Sequence, residues 1–158
     1  MKVKSIIDET FQDYKKPGML IATCYCDWKC FESCETNLCQ NSALVMQPNR
    51  TIDNDELVKR YIGNPVSKAM IFGGLEPMHQ FGNICLLIAK LRYAGIDDDV
   101  VIYTGFNEDE LEEEIRCLQK HNNIIVKFGR YVPNQNPRYD EVLGVSLASP
   151  NQYAKKIS

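Results

Sequence analysis

Four apolar runs punctuate the chain, and the stretches between them mix apolar and polar residues at helical spacing. "GMLIATC" (18–24), "SKAMIFGG" (67–74), "DVVIYTG" (99–105) and "NIIVKFGRY" (123–131) are short and bounded by glycine or polar turns, which predicts strands. "TIDNDELVKRYIG" (51–63) opens with capping and acidic residues and stops at a glycine, which predicts a helix. In "MHQFGNICLLIAKLRYAG" (78–95), Phe81, Ile84, Ile88 and Leu91 fall on one helical face. "NEDELEEEIRCLQKHN" (107–122) does the same with Leu111, Ile115 and Leu118. Its acids lie in the first turns and Arg116 and Lys120 near the end, as the helix dipole favours. The tail from Val132 onward reads as irregular, with one short strand expected in "EVLGVSL" (141–147).

Strand and helix alternate, and the strands are almost continuously apolar, the pattern of parallel βα units with both sheet faces covered. About four to five such units fill the 158 residues, too few for the eight of a closed barrel. The expected fold is therefore α/β: a partial parallel βα barrel or an open sheet, forming a single domain over residues 1–158. In such sheets function gathers on loops at the carboxyl ends of the strands. Three of those loops are unusual here: the cysteine-rich stretch after the first strand, "GGLEP" (73–77) and "YTGFNED" (103–109). A right-handed winding brings all three to one edge.

Composition narrows the function classes. Hydrophobic residues are 44% and charged residues 25%, the ordinary soluble range. A net charge of −3 gives no sign of a nucleic-acid surface. No apolar run approaches the roughly 20 residues that span a bilayer. "MKVKSIIDETFQDYKK" lacks the apolar stretch and cleavage site of a signal peptide, so the expectation is a cytoplasmic protein with reduced thiols and no membrane partner. Against that background, "CYCDWKCFESCETNLC" (24–39) packs five of the seven cysteines into sixteen residues. Cys85 and Cys117 lie far off. A reduced compartment, an odd count and local crowding argue against disulfides and towards metal.

The spacing is Cys24-x-Cys26-x3-Cys30-x3-Cys34-x4-Cys39, with no C-x2-C pair of the kind structural zinc favours. His79 and His121 are distant in sequence and most simply surface or capping residues. A four-iron cluster held by soft thiolates is the other candidate metal. If only three irons have protein ligands, the fourth is open to a small molecule.

A strand, a C-x3-C…C loop and a second strand ending in a Gly-Gly turn before Glu-Pro resemble the radical S-adenosylmethionine superfamily. Within it the chain is most similar to the small activating proteins of anaerobic ribonucleotide reductases. "CDWKC" (26–30), "LCQN" (38–41), "GGLEP", "VVIYTG" and "SPNQ" (149–152) follow one another in that family's order, across roughly residues 19 to 152. The resemblance implies a [4Fe–4S] loop at 24–41 with Cys26, Cys30 and Cys39 as ligands. Cys26, Cys30 and Cys34 form the competing triad, because eight residues separate Cys30 from Cys39 where the family has two. It further implies S-adenosylmethionine as cofactor, cleaved to a 5′-deoxyadenosyl radical that installs a glycyl radical on a large partner, an anaerobic ribonucleotide reductase. An electron donor such as flavodoxin or ferredoxin is implied with it.

In that frame Gly73 and Gly74 let the backbone approach the ligand's ammonium. Glu76 offers a negative charge near the same cation, although Leu75 is inserted before it. Thr104 bonds the ribose or carboxylate, and Lys127 pairs with the carboxylate. Each has a plainer reading. Gly-Gly is often only a turn, Glu76 and Thr104 suit helix-end caps, and Lys127 suits a solvated strand end. Trp28 packs on the loop, and Cys85 and Cys117 read as small core residues. The non-enzymatic alternative is an iron–sulfur electron carrier or a zinc-stapled interaction module. The segments 31–38 and 130–139, the latter rich in Tyr, Arg and Pro, are the expected partner contacts.

Overall fold

A computed structural model describes residues 1–32 and 39–158. Its centre is a seven-stranded sheet. The four strands read from the sequence are β2 (Gly18–Thr23), β4 (Ala69–Gly74), β5 (Asp99–Tyr103) and β6 (Ile124–Phe128). They lie side by side and run parallel. Three further strands add antiparallel edges: β1 (Lys2–Thr10) beside β2, β3 (Arg50–Thr51) beside β1, and β9 (Tyr153–Lys156) beside β6. The order is β3-β1-β2-β4-β5-β6-β9, so the sheet is open and no barrel closes among the described residues. Two short helices, α1 (Lys29–Glu32) and α2 (Ser42–Val45), follow β2. A separate hairpin joins β7 (Arg138–Asp140) to β8 (Val145–Leu147), the second lying where a tail strand is expected.

Three helices connect the parallel strands or lead into them: α3 (Asn54–Ile62), α4 (Phe81–Tyr93) and α5 (Glu112–Leu118). Asp53 caps α3 by accepting the amide of Asp55 at 2.7 Å. A single 3₁₀ turn, Pro77–Gln80, leads into α4, and Glu76 caps it. α5 is shorter than its sequence pattern suggests. Glu110 reaches back to the amide of Asn107 at 2.8 Å and closes a separate 3₁₀ turn over Glu108–Glu110.

These helices all pack on one face of the sheet, not two. Met19, Ile21, Met70, Phe72, Ile102 and Val126 point into one core with Leu57 of α3, Leu87 and Ile88 of α4 and Leu118 of α5. The alternate strand residues point the other way. There Ala69, Ile71, Val101 and Ile125 are covered by Tyr14, Leu143 and Leu147, from the loop after β1 and from the β7–β8 hairpin region. That cover explains why the strands look apolar on both faces although helices shield only one. Towards the carboxyl ends the same inner face carries Ala22, Gly73, Tyr103 and Lys127, and there a cavity takes the place of the cover.

Candidate metal centre at the carboxyl edge of the sheet

A cavity of about 510 Å³ opens over the carboxyl ends of β2, β4, β5 and β6. The favoured cluster ligands and the expected cofactor contacts all line it: Cys26, Cys30, Cys39, Gly73, Gly74, Glu76, Thr104 and Lys127. They come from the carboxyl ends of β4 and β6 and from the segments that follow β2, β4 and β5, so the winding of the sheet assembles the site.

The thiols differ in placement. Cys24, at the end of β2, is buried and accepts a weak contact from Gln80 at 4.0 Å; it does not line the cavity. Cys34 lies outside the described residues. Cys85 on α4 and Cys117 on α5 interact with each other, and burial pushes the Cys85 thiol up to about 12. They are half-buried on the helical side, and Cys85 packs against the main core, as a small core residue does. Burial also raises the pKa of Cys26, and neighbouring Asp27 and Cys30 add to the shift. The Trp28 amide opposes it by donating to the Cys26 sulfur at 3.3 Å. Trp28 achieves this with φ 61°, a left-handed backbone that costs a bulky residue about 1–3 kcal/mol. Cys30 is likewise raised by burial and by Cys39, and lowered by the Tyr131 amide and the Arg130 cation.

Three thiols in a half-buried setting, with backbone amides aimed at two of the sulfurs, form a donor set suited to an iron–sulfur cluster. Among the described residues no three His, Cys, Asp or Glu side chains converge on a single-ion site. Cluster ligands bind separate irons and need not meet at one point.

The two glycines of β4 are not equivalent. Gly74 has φ +91°, and a Cβ there would lie 2.9 Å from Ala22 Cα and Thr23 N, so packing against β2 requires glycine. A Cβ on Gly73 would meet only Leu20 Cδ1 at 3.4 Å and Tyr103 Cβ at 3.8 Å, ordinary contacts, and would stand on the cavity floor. The fold therefore tolerates a side chain at Gly73, and the space above it is what a methyl would remove.

Glu76 reaches the cavity despite the inserted Leu75. The extra residue is absorbed where Leu75 and Glu76 donate their amides to the carbonyls of Thr23 and Tyr25, at 3.4 and 2.6 Å. The carboxylate is 4% exposed. One oxygen accepts from the Met78 amide at 3.0 Å and the Thr104 hydroxyl at 2.8 Å; the other accepts from the Gly105 amide at 2.8 Å. Burial raises its pKa, and these three donors pull the other way. Glu76 thus caps the 3₁₀ turn and bolts the end of β4 to the end of β5. Thr104, 1% exposed, donates to Glu76 and accepts from the Phe106 amide at 3.1 Å, so it caps a turn and not a helix.

Lys127 departs most from its plain reading. It is 6% exposed, not solvated. Its ammonium donates to the carbonyls of Gly129 at 2.7 Å and Thr104 at 3.4 Å, and no ion pair reaches it among the described residues. Burial lowers its pKa to about 8, against the opposing pull of Glu76 and Cys30. A buried cation with carbonyl partners on the floor of a cavity has the chemistry to meet an anionic group.

Residues given no role from the sequence complete the site. Asn41, two places after Cys39, donates to the Gly74 carbonyl at 2.6 Å. Lys4 of β1 donates to the carbonyls of Val45 and Gln47, at 2.8 and 2.7 Å, and holds the end of α2. Gln152 lines the cavity and donates to the Gly129 carbonyl at 3.3 Å. Asn41 and Gln152 both belong to motifs quoted above, so their presence was visible although their partners were not. Arg130, expected on a docking surface, is instead only 18% exposed and bound to Glu110.

A thiol-lined cavity on the open edge of a largely parallel α/β sheet fits the class of iron–sulfur proteins. A family model described as a 4Fe-4S single cluster domain matches residues 19–148, and the chain belongs to that family. No curated protein and no solved structure matches it.

Proposed function

We propose that the protein is a radical S-adenosylmethionine enzyme that installs a glycyl radical on a large partner, of the anaerobic ribonucleotide reductase type. One observation carries the reading. The cavity that holds Cys26, Cys30 and Cys39 also holds Gly73, Gly74, Glu76, Thr104 and Lys127, while Cys24 faces Gln80 outside it. Three thiols beside a polar, cation-floored recess suit a cluster with one iron left for a small ligand.

When bound, the reduced cluster supplies the electron that splits S-adenosylmethionine into methionine and a 5′-deoxyadenosyl radical. The chain's own residues bind and orient. Lys127 offers its ammonium to the ligand's carboxylate. Gly73 leaves room for the backbone to approach the ligand. Glu76 keeps the ends of β4 and β5 in register and adds negative charge near the ligand's ammonium. Thr104 fixes the Glu76 carboxylate. The partner presents the reacting glycine, and Tyr139, 62% exposed, remains available to it. An electron donor such as flavodoxin or ferredoxin completes the system.

Anaerobic reconstitution, followed by iron and sulfide analysis and EPR of the reduced protein with and without S-adenosylmethionine, tests the proposal. The expected result is a perturbed cluster signal and release of 5′-deoxyadenosine. An intact cluster whose signal ignores S-adenosylmethionine would make the protein an electron carrier instead.

A further inference from the structure

The turn that leaves β6 brings a cation to the cysteine loop. Gly129 makes the turn with φ +92°, where a Cβ would lie 2.9 Å from the Asn151 carbonyl oxygen. Asn151 in turn donates to the Arg130 carbonyl at 2.8 Å and fixes the backbone. The Arg130 guanidinium lies over the Phe106 ring, 5.2 Å from its centroid. It donates to both oxygens of Glu110, at 2.8 and 3.0 Å, and sits 3.8 Å from the Asp27 carboxylate. Arg130 lines the cavity with Cys26, Asp27 and Cys30, whereas Glu110 is not part of its wall. The cation thus shares the cavity wall with the two thiols, while the carboxylate that grips it lies outside that wall. The next residue, Tyr131, donates its amide to Cys30.

We infer that Arg130 is a positioning residue whose cation, held beside Cys30 by Glu110, raises the reduction potential of the cluster. Reduction adds negative charge to the cluster, and a nearby cation in a half-buried setting stabilises the reduced form. Glu110 acts in the opposite sense by partly neutralising that cation. A purely structural ion pair gives no reason for the two partners to act in opposite directions on the cluster, whereas a charge effect requires it.

The inference rests on the cluster being held at Cys26 and Cys30, and is independent of S-adenosylmethionine cleavage. Redox titration monitored by EPR on the reconstituted full chain reads it. At the wild-type midpoint, Arg130→Gln should lower the reduced-to-oxidised ratio about tenfold. Glu110→Gln should raise it by a similar factor, each corresponding to about 59 mV for one electron. Arg130→Lys, which keeps the charge, should restore most of the loss. Iron and sulfide content measured alongside separates a lost cluster from a shifted one. If Arg130→Gln holds no cluster, Glu110→Gln decides alone. A midpoint that moves in the same direction in both variants, or stays at the wild-type value in Glu110→Gln, overturns the inference.

Discussion

Replacing Gly73 by alanine separates a glycine kept for a ligand from one kept for the fold. The added methyl meets Leu20 Cδ1 at 3.4 Å and Tyr103 Cβ at 3.8 Å, both ordinary contacts, and Gly73 lies outside the left-handed backbone region. Glycine-to-alanine changes at compatible positions stabilise by about 0.4–1 kcal/mol, largely through the unfolded chain. Gly73→Ala should therefore unfold in urea at or above the wild-type midpoint. The same change at Gly74 drives a Cβ to 2.9 Å from two β2 backbone atoms at φ +91°, and backbone strain alone costs about 1–3 kcal/mol. The order reverses for ligand binding. A methyl on the cavity floor denies the ligand one close backbone approach, and a lost hydrogen bond of about 0.5–1.5 kcal/mol weakens binding roughly 2- to 10-fold. Anaerobic calorimetry with S-adenosylmethionine on the reconstituted protein measures it. A Gly73→Ala protein that is less stable by more than about 2 kcal/mol refutes the steric argument. One that is stable and binds as tightly as wild type removes Gly73 from the site.

Alanine at Cys26, Cys30 or Cys39 should each abolish most iron and sulfide uptake, while Cys34→Ala keeps it; metal analysis after reconstitution decides between the two triads. Asn41→Ala removes the bond to the Gly74 carbonyl, worth about 1 kcal/mol, and should speed loss of iron to a chelator several-fold without abolishing loading. Phe72→Ala, in the middle of β4 and fully buried, should cost about 3–5 kcal/mol in chemical denaturation.

The parallel strands and their helices were legible because burial on both faces leaves an uninterrupted apolar run, as in "AMIFGG". β1 was not. It breaks its own alternation with irregularities between Val3 and Ser5 and between Ile7 and Thr10, and it buries a lysine, Lys4, at 9% exposure. β9 was hidden for a related reason, since "YAKK" is an edge strand with two exposed lysines and no apolar period. That the eight candidate residues line one cavity was foreseeable because most of them lie at or just beyond the carboxyl ends of parallel strands, and those ends converge. Their environments were not recoverable. Whether Lys127 meets water or carbonyls depends on the cover over β6, and nothing local to "IIVKF" records it. Arg130 looked like a free contact residue because its partners, Glu110 and Asp27, lie 20 and 103 positions away in the sequence.

The two ends of the cysteine loop are fastened independently. On one side Thr23 and Tyr25 accept the amides of Leu75 and Glu76; on the other, Asn41 grips Gly74 and Lys4 grips the carbonyls beyond α2. A tether with both ends pinned can change length cheaply. By loop-closure entropy, each doubling of a spacer costs only about 0.6 kcal/mol, so lengthening a two-residue spacer to the eight between Cys30 and Cys39 adds roughly 1.2 kcal/mol. In the proposed triad of Cys26, Cys30 and Cys39, the cysteine spacing is thus a parameter that can change while the anchors stay fixed. A chain can therefore keep the two anchors of such a loop while the cysteines between them change their spacing.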